Sequence, residues 1–188
     1  SEKSVVALYS GNMGGKQGLE ILVDIAKLAS EGEASQPVEI TFVFCGQGSG
    51  RDDLEKQCDG LANVRFLELQ PLERLPDLLA LADVHFLPQR ADAADLVMPS
   101  KLTGMLASGR PVIATAQKDA ELAQVVQDCG LVVPPEDPVA LYNALVKLAC
   151  DSELRSTLGA GGLVYAQKHL DREAVLQQFE LDLLALVK

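Results

Sequence analysis

The chain has 188 residues, 48% of them hydrophobic, and a formal net charge of −11. That length supports one domain with a substantial core, and no run approaches the roughly 18 apolar residues of a membrane span. The acidic balance argues against nonspecific nucleic-acid binding, which draws on dense Lys and Arg. The opening SEKSVVALYS lacks a basic stretch, a long apolar core and a cleavage pattern, so it does not read as a signal peptide. None of the four cysteines forms a CxxC pair and the two histidines lie far apart. This disfavours a zinc site and suits a reducing cytoplasm.

Apolar strands alternate with helical segments along the chain. Residues 4–9 (SVVALY) read as a strand, followed by helical periodicity over 17–28 (QGLEILVDIAKL). Residues 38–45 (VEITFVFC) form the second strand, 51–58 a short polar helix and 63–67 (NVRFL) the third strand. Residues 72–81 (LERLPDLLAL) predict a helix whose true start Pro76 marks or shifts. DVHFL (83–87) is the fourth strand and PQRADAADLVM the loop behind it. MPSKLTGMLASGRPVIAT (98–115) reads as a helix, a glycine stop at Gly109 and a fifth strand. GLVV (130–133) is the sixth strand, and 137–187 carries two or three helices. The last segment, DREAVLQQFELDLLALVK, is amphipathic and is expected to pack on this same domain, with reaching another domain as the lesser alternative.

Short strands that are apolar on both faces and separated by helices imply a parallel sheet covered on both sides. The fold class is therefore α/β: a Rossmann-like doubly wound parallel sheet of about six strands with helices on both faces, as one domain over residues 1–188. Ligands in such folds sit at the carboxyl ends of the strands. Glycines and polar residues gather there, in SGNMGGKQG, GQGSG, LQP and PQRADAAD.

Four motifs could carry chemistry. In SGNMGGKQGLE, Gly14 and Gly15 permit a sharp turn and a close ligand approach, with a helix expected from about Lys16. The loop is neither a Walker A motif nor a GxGxxG fingerprint, and a tight turn with a solvated lysine remains equally open. In FCGQGSGRDDLE, Gly46 and Gly48 crowd a strand end, to admit a ligand or merely to make a wide turn. Asp52 and Asp53 read as an acidic first helical turn and nothing more. Backbone at Leu69 and Gln70 could read the edge of a base. In the fourth motif, Pro99 suits a first helical turn, and Ser100 and Lys101 follow it. A plain helix–turn–strand unit would make Ser100 a capping hydroxyl and Lys101 a surface charge. A cation in a helix's first turn opposes the dipole, and a nearby anionic ligand would relieve that conflict. No Ser/His/Asp set, carboxylate pair or metal cluster stands out, so no catalytic residue is assigned, and His85 reads as structural.

In this order, YSGNMGGKQGLEIL, VFCGQGSGRDDLE, NVRFLELQPLERLPDLLALADVHFLPQ, PSKLTGMLASGRPVIAT and GLVVPPEDPVALYNAL resemble the C-terminal, donor-binding domain of GT-B retaining glycosyltransferases. Within that family they look most like the bacterial colanic-acid and O-antigen enzymes. The resemblance implies a nucleotide-diphosphate-sugar donor, no metal and no other cofactor. It implies transfer of a hexosyl group from a UDP- or GDP-sugar to a polysaccharide or lipid-linked acceptor. It places Gly14, Gly15 and Lys16 at the donor phosphates and sugar, and Gly46 and Gly48 beside the nucleotide. Leu69 and Gln70 would meet the base, and the amides around Pro99, Ser100, Lys101 and Leu102 the pyrophosphate. Asn12 stands where the family has an arginine. Of the family's E-x7-E pair, the second glutamate, which grips the ribose, falls on Gly104, and the first on Leu96; Asp92 or Asp95 could stand in for the first.

The resemblance also implies that the N-terminal acceptor half is absent, so that this domain alone binds donor without substantial transfer. A cytoplasmic place follows, with membrane association only through the absent half. Two other classes stay open: a non-catalytic nucleotide-binding or protein-interaction module, favoured by the missing glutamates, and half of a sugar-nucleotide epimerase, which would want acid and histidine groups not seen here. A phospho-receiver-like domain would need clustered acids at strand ends, which SVVALYS and NVRFLEL lack.

Overall fold

The computed structural model of the chain describes residues 4–32, 38–91 and 98–186. Its six strands are β1 (Ser4–Ser10), β2 (Glu39–Cys45), β3 (Val64–Leu67), β4 (Val84–Leu87), β5 (Val112–Thr115) and β6 (Gly130–Val133). They form one parallel sheet in the order β3-β2-β1-β4-β5-β6. The order reverses between β1 and β4, which opens a crevice at their carboxyl ends.

The helices are α1 (Glu20–Glu31), α2 (Arg51–Gln57), α3 (Leu75–Leu81), α4 (Lys101–Ala107), α5 (Glu121–Val126), α6 (Pro138–Cys150), α7 (Ser152–His169) and α8 (Arg172–Leu186). Strand alternation divides the core by face. Val5, Ala7 and Tyr9 of β1 join Phe42 and Phe44 of β2 beneath α1 and α6. Leu8 and Val43 turn the other way, toward Leu78 of α3. Leu102, Met105 and Leu106 of α4 pack with β5 and α5 on that second face. Each fully buried Val, Leu, Met or Phe side chain here contributes about 1.5–3 kcal/mol relative to exposure. His85 is likewise core: its Nε2 lies 3.0 Å from Ser108 Oγ, joining β4 to the end of α4. Burial, with Arg110 nearby, lowers its pKa to about 4.

The structure corrects several sequence expectations. The first helix does not begin near Lys16. Gly15–Gln17 is a 3-10 turn and Gly18 takes a left-handed conformation (φ 63°), so α1 starts at Glu20. The expectation for Pro76 holds: a 3-10 turn (Leu72–Arg74) precedes α3, whose start is shifted so that Pro76 lies in its first turn, where no amide is needed. Helix α5 is absent from the sequence reading because its six residues are too few to show a clear period. The final segment does not pack broadly on the domain. Helix α8 touches α7, yet Val175, Leu176, Phe179, Leu183 and Leu184 stay exposed. Among the described residues, no helix is long and apolar enough to cross a membrane.

Candidate functional site

Loops after β1, β2 and β3 and the start of α4 line one edge of the sheet, as the pattern predicted. Three strand spacings separate β3 from β4, about 14 Å. Leu69 and Gln70 stand at the β3 end, Gly46 and Gly48 at β2, Asn12, Gly14 and Gly15 at β1, and Ser100 and Lys101 beyond β4.

The two glycine loops are fastened to each other. The Gly11 amide donates to the Cys45 carbonyl (2.9 Å), the Met13 amide to Gln47 (2.8 Å) and the Gly50 amide to Met13 (2.8 Å). A Cβ at Gly46 would lie 2.0 Å from the Gly11 carbonyl oxygen, and Gly46 has φ +142°. A Cβ at Gly48 would meet Met13 backbone at 2.6 Å. Both glycines are thus required by loop-against-loop packing, a reason that spacing alone does not reveal. Gly15 differs: nothing lies within 4 Å of where its Cβ would be.

Arg51 ties this region to β3. Its Nη1 donates to the carbonyls of Gly46 (2.6 Å) and Leu67 (3.1 Å). Its Nε pairs with Glu55 (2.8 Å) and its Nη2 with Glu68 (2.9 Å). Cys45 Sγ donates to the Glu68 carbonyl (3.2 Å), and Gln70 Nε2 to the same carbonyl (2.8 Å). Leu69, 64% exposed, projects beyond this knot with its face open.

The β1–β4 crevice is built differently. Lys101, the first residue of α4, extends its ammonium over the ring of Tyr9, 4.3 Å from the centroid. Helix α4 and Tyr9 belong to opposite faces of the sheet, so this side chain crosses the carboxyl edge. Its Cδ and Nζ also lie 3.7 and 3.8 Å from the Cβ position of Gly11. No described carboxylate pairs with it, and burial lowers its pKa to about 8. Lys101 is therefore no ordinary surface charge. Ser100 is not a capping hydroxyl either, since its side chain makes no cap bond.

Leu102 enters the core, and its amide donates to the Pro99 carbonyl (3.0 Å). Proline has no N–H to offer. This leaves the amides of Ser100 and Lys101, which bond to no described residue. A Cβ on Gly104 would point at Leu79 Cδ1, 3.1 Å away. The Lys16 side chain lies outside the described residues, as do Leu96, Asp92 and Asp95. Sequence reasoning misses Tyr9. The one available signal was an aromatic residue near the carboxyl end of a strand that enters the crevice.

Comparison with known proteins gives this arrangement a context. A family model described as glycosyl transferases group 1 matches residues 4–151. WcaI of Escherichia coli (strain K12), named for colanic acid biosynthesis, is 38% identical over 184 residues, which cover 95% of this chain and 42% of the relative. The sucrose-phosphate synthase of Thermosynechococcus elongatus superposes with a TM-score of 0.80 at 25% identity, over 100% of this chain and 47% of that one. Anabaena Alr3699/HepE, solved with UDP and glucose, gives a TM-score of 0.76 at 21% identity, over 97% and 49%. The chain thus spans less than half the length of each of these relatives.

Proposed function

The chain belongs to the group 1 glycosyl transferases, and on that premise we propose that it forms the donor-binding domain of an enzyme of bacterial cell-surface polysaccharide synthesis. The enzyme would move a hexosyl group from a UDP- or GDP-sugar to a polysaccharide or lipid-linked acceptor. The name of WcaI supports the biosynthetic setting, and the UDP held by Alr3699/HepE supports the donor class.

One observation carries the reading: the partly buried Lys101 ammonium in the β1–β4 crevice has a ring face beneath it and no described acid beside it. An enclosed cation without an anion is costly, and a diphosphate would complete it. With the base near Leu69 and Gln70, a nucleoside diphosphate would run along the edge past Gly46, Gly48, Gly14 and Gly15 to Lys101 and the amides of Ser100 and Lys101. Transfer breaks the bond between the sugar's anomeric carbon and the phosphate oxygen and forms one to an acceptor hydroxyl oxygen. Charge gathers on the departing phosphate, where Lys101 would stabilise it. Protein groups supply this charge in our reading, so chelating agents should leave donor affinity unchanged.

Calorimetric titration of UDP, GDP, CDP and dTDP tests the proposal. Selective binding of one nucleotide supports it, and silence toward all four contradicts it. A second reading, a nucleotide-binding module without catalysis, is favoured by Gly104 at the position of the family's second glutamate, where a Cβ would press on Leu79 Cδ1 at 3.1 Å. The two separate in a donor-hydrolysis and transfer assay on the full-length protein. The domain alone is expected to bind donor without substantial transfer, and robust turnover by these 188 residues would contradict that expectation.

A further inference from the structure

We infer that Tyr9 is a positioning residue for phosphate recognition: its ring holds the Lys101 ammonium at the crevice while its hydroxyl ties that ring to the β1–α1 loop. The inference rests on the donor-domain reading and adds a residue that neither the motifs nor the comparisons assign.

Tyr9 is 1% exposed and immobilised on three sides. Its ring packs on Phe44 at 6.5 Å between centroids, and Phe44 stacks on Phe66 at 5.0 Å. Its hydroxyl donates to the Asn12 carbonyl at 2.6 Å, which fixes the loop that leads to Gly14 and Gly15. Gly11 lies between the parts: a Cβ there would be 3.7 Å from Tyr9 Oη and 3.7 Å from Lys101 Cδ. Ring, loop and ammonium therefore form one contact.

The choice of an aromatic holder has a physical reason. A free lysine side chain has four rotatable bonds and extends into water. A carboxylate beneath it would fix the ammonium but neutralise it, and would repel an incoming phosphate. A ring face attracts a cation without cancelling its charge. Tyr9 thus orders the cation and leaves it available, which lowers the ordering cost that a phosphate would otherwise meet on binding.

A double-mutant cycle tests the coupling, with inorganic pyrophosphate as probe so that no base need be known. Tyr9→Leu should weaken pyrophosphate binding about fivefold and Tyr9→Phe less than about twofold. Lys101→Met should weaken it at least about tenfold, and the Tyr9→Leu/Lys101→Met pair no further than Lys101→Met alone. A Tyr9→Leu variant that binds like wild type, or losses that multiply in the pair, would overturn the inference while leaving the donor reading intact. Wild-type silence toward pyrophosphate and all four nucleoside diphosphates would instead defeat the donor reading, and this inference with it. Because Tyr9→Leu alters a buried site, proton NMR of the wild-type domain provides an independent check. The Lys101 ε-methylene protons should be shifted upfield by the ring, and ordinary lysine shifts would overturn the contact.

Discussion

Arg51 and Lys101 stand at the same edge of the sheet, and each is the first residue of a seven-residue helix. Arg51 is saturated. Two carbonyls and two carboxylates surround it, and its side chain is 14% exposed. Lys101 meets a ring face and, among the described residues, no carboxylate. The sequence around each follows that difference: Asp52, Asp53 and Glu55 share α2 with Arg51, whereas α4 contains no acid. A cation surrounded by acids cements loops. A cation in an acid-free helix, at the point where strand order reverses, keeps a charge that no described carboxylate cancels, which is what the proposed phosphate site requires.

The contrast can be broken by substitution. Gly46→Ala should have the largest effect, a loss of about 3 kcal/mol in denaturant unfolding, because its Cβ meets backbone and its φ disfavours any side chain. Arg51→Met comes next. It should destabilise the domain by about 2 kcal/mol, since the Gly46 and Leu67 carbonyls lose a charged donor. If Arg51 were instead a ligand group, the substitution would abolish nucleotide binding with little change in stability.

Lys101→Met should act in the opposite direction and stabilise the unliganded domain by about 1–2 kcal/mol at pH 7, allowing for partial exposure. The sign follows from protons. With a folded value of about 8 against an ordinary lysine value of 10.5, the unfolded chain holds the extra proton between those values. Wild-type stability attributable to this group should therefore rise as pH climbs from 8 toward 10.5, closing the gap to Lys101→Met. A gap that ignores pH would remove the buried-cation account. Gly15→Ala should have the smallest effect on stability, under about 0.5 kcal/mol, because its Cβ would enter open space. Donor affinity should still fall about threefold or more if a phosphate passes there.

The division between legible and hidden features is physical. Alternating apolar strands predicted the parallel sheet, because burial on both faces imposes that pattern, and their glycine-rich ends fall together along its carboxyl edge. Local rules also served at Pro76 and at Gly109, which takes φ +69° where the α4 helix stops. They failed at the start of α1, where a 3-10 turn and a left-handed Gly18 interrupt what reads as one apolar period. Contacts between loops were invisible, since nothing local links Gly46 to Gly11 or Arg51 to Glu68. Lys101 stands out in the sequence as a cation in a first helical turn. Its crossing to Tyr9, 92 positions earlier, required the folded sheet. The exposed apolar residues of α8 show the reverse failure: an amphipathic pattern predicts a buried face but does not name what buries it.

Lys101 is, in the proposed function, the group that meets a phosphate. The most direct test of that role is the ratio of UDP dissociation constants for Lys101→Met and wild type, measured by calorimetry beside uridine, which shares the base and ribose but has no phosphate. UDP binding should weaken by about 10- to 100-fold and uridine binding should stay unchanged. Equal UDP affinity in the two proteins, or an equal loss for UDP and uridine, would contradict that role.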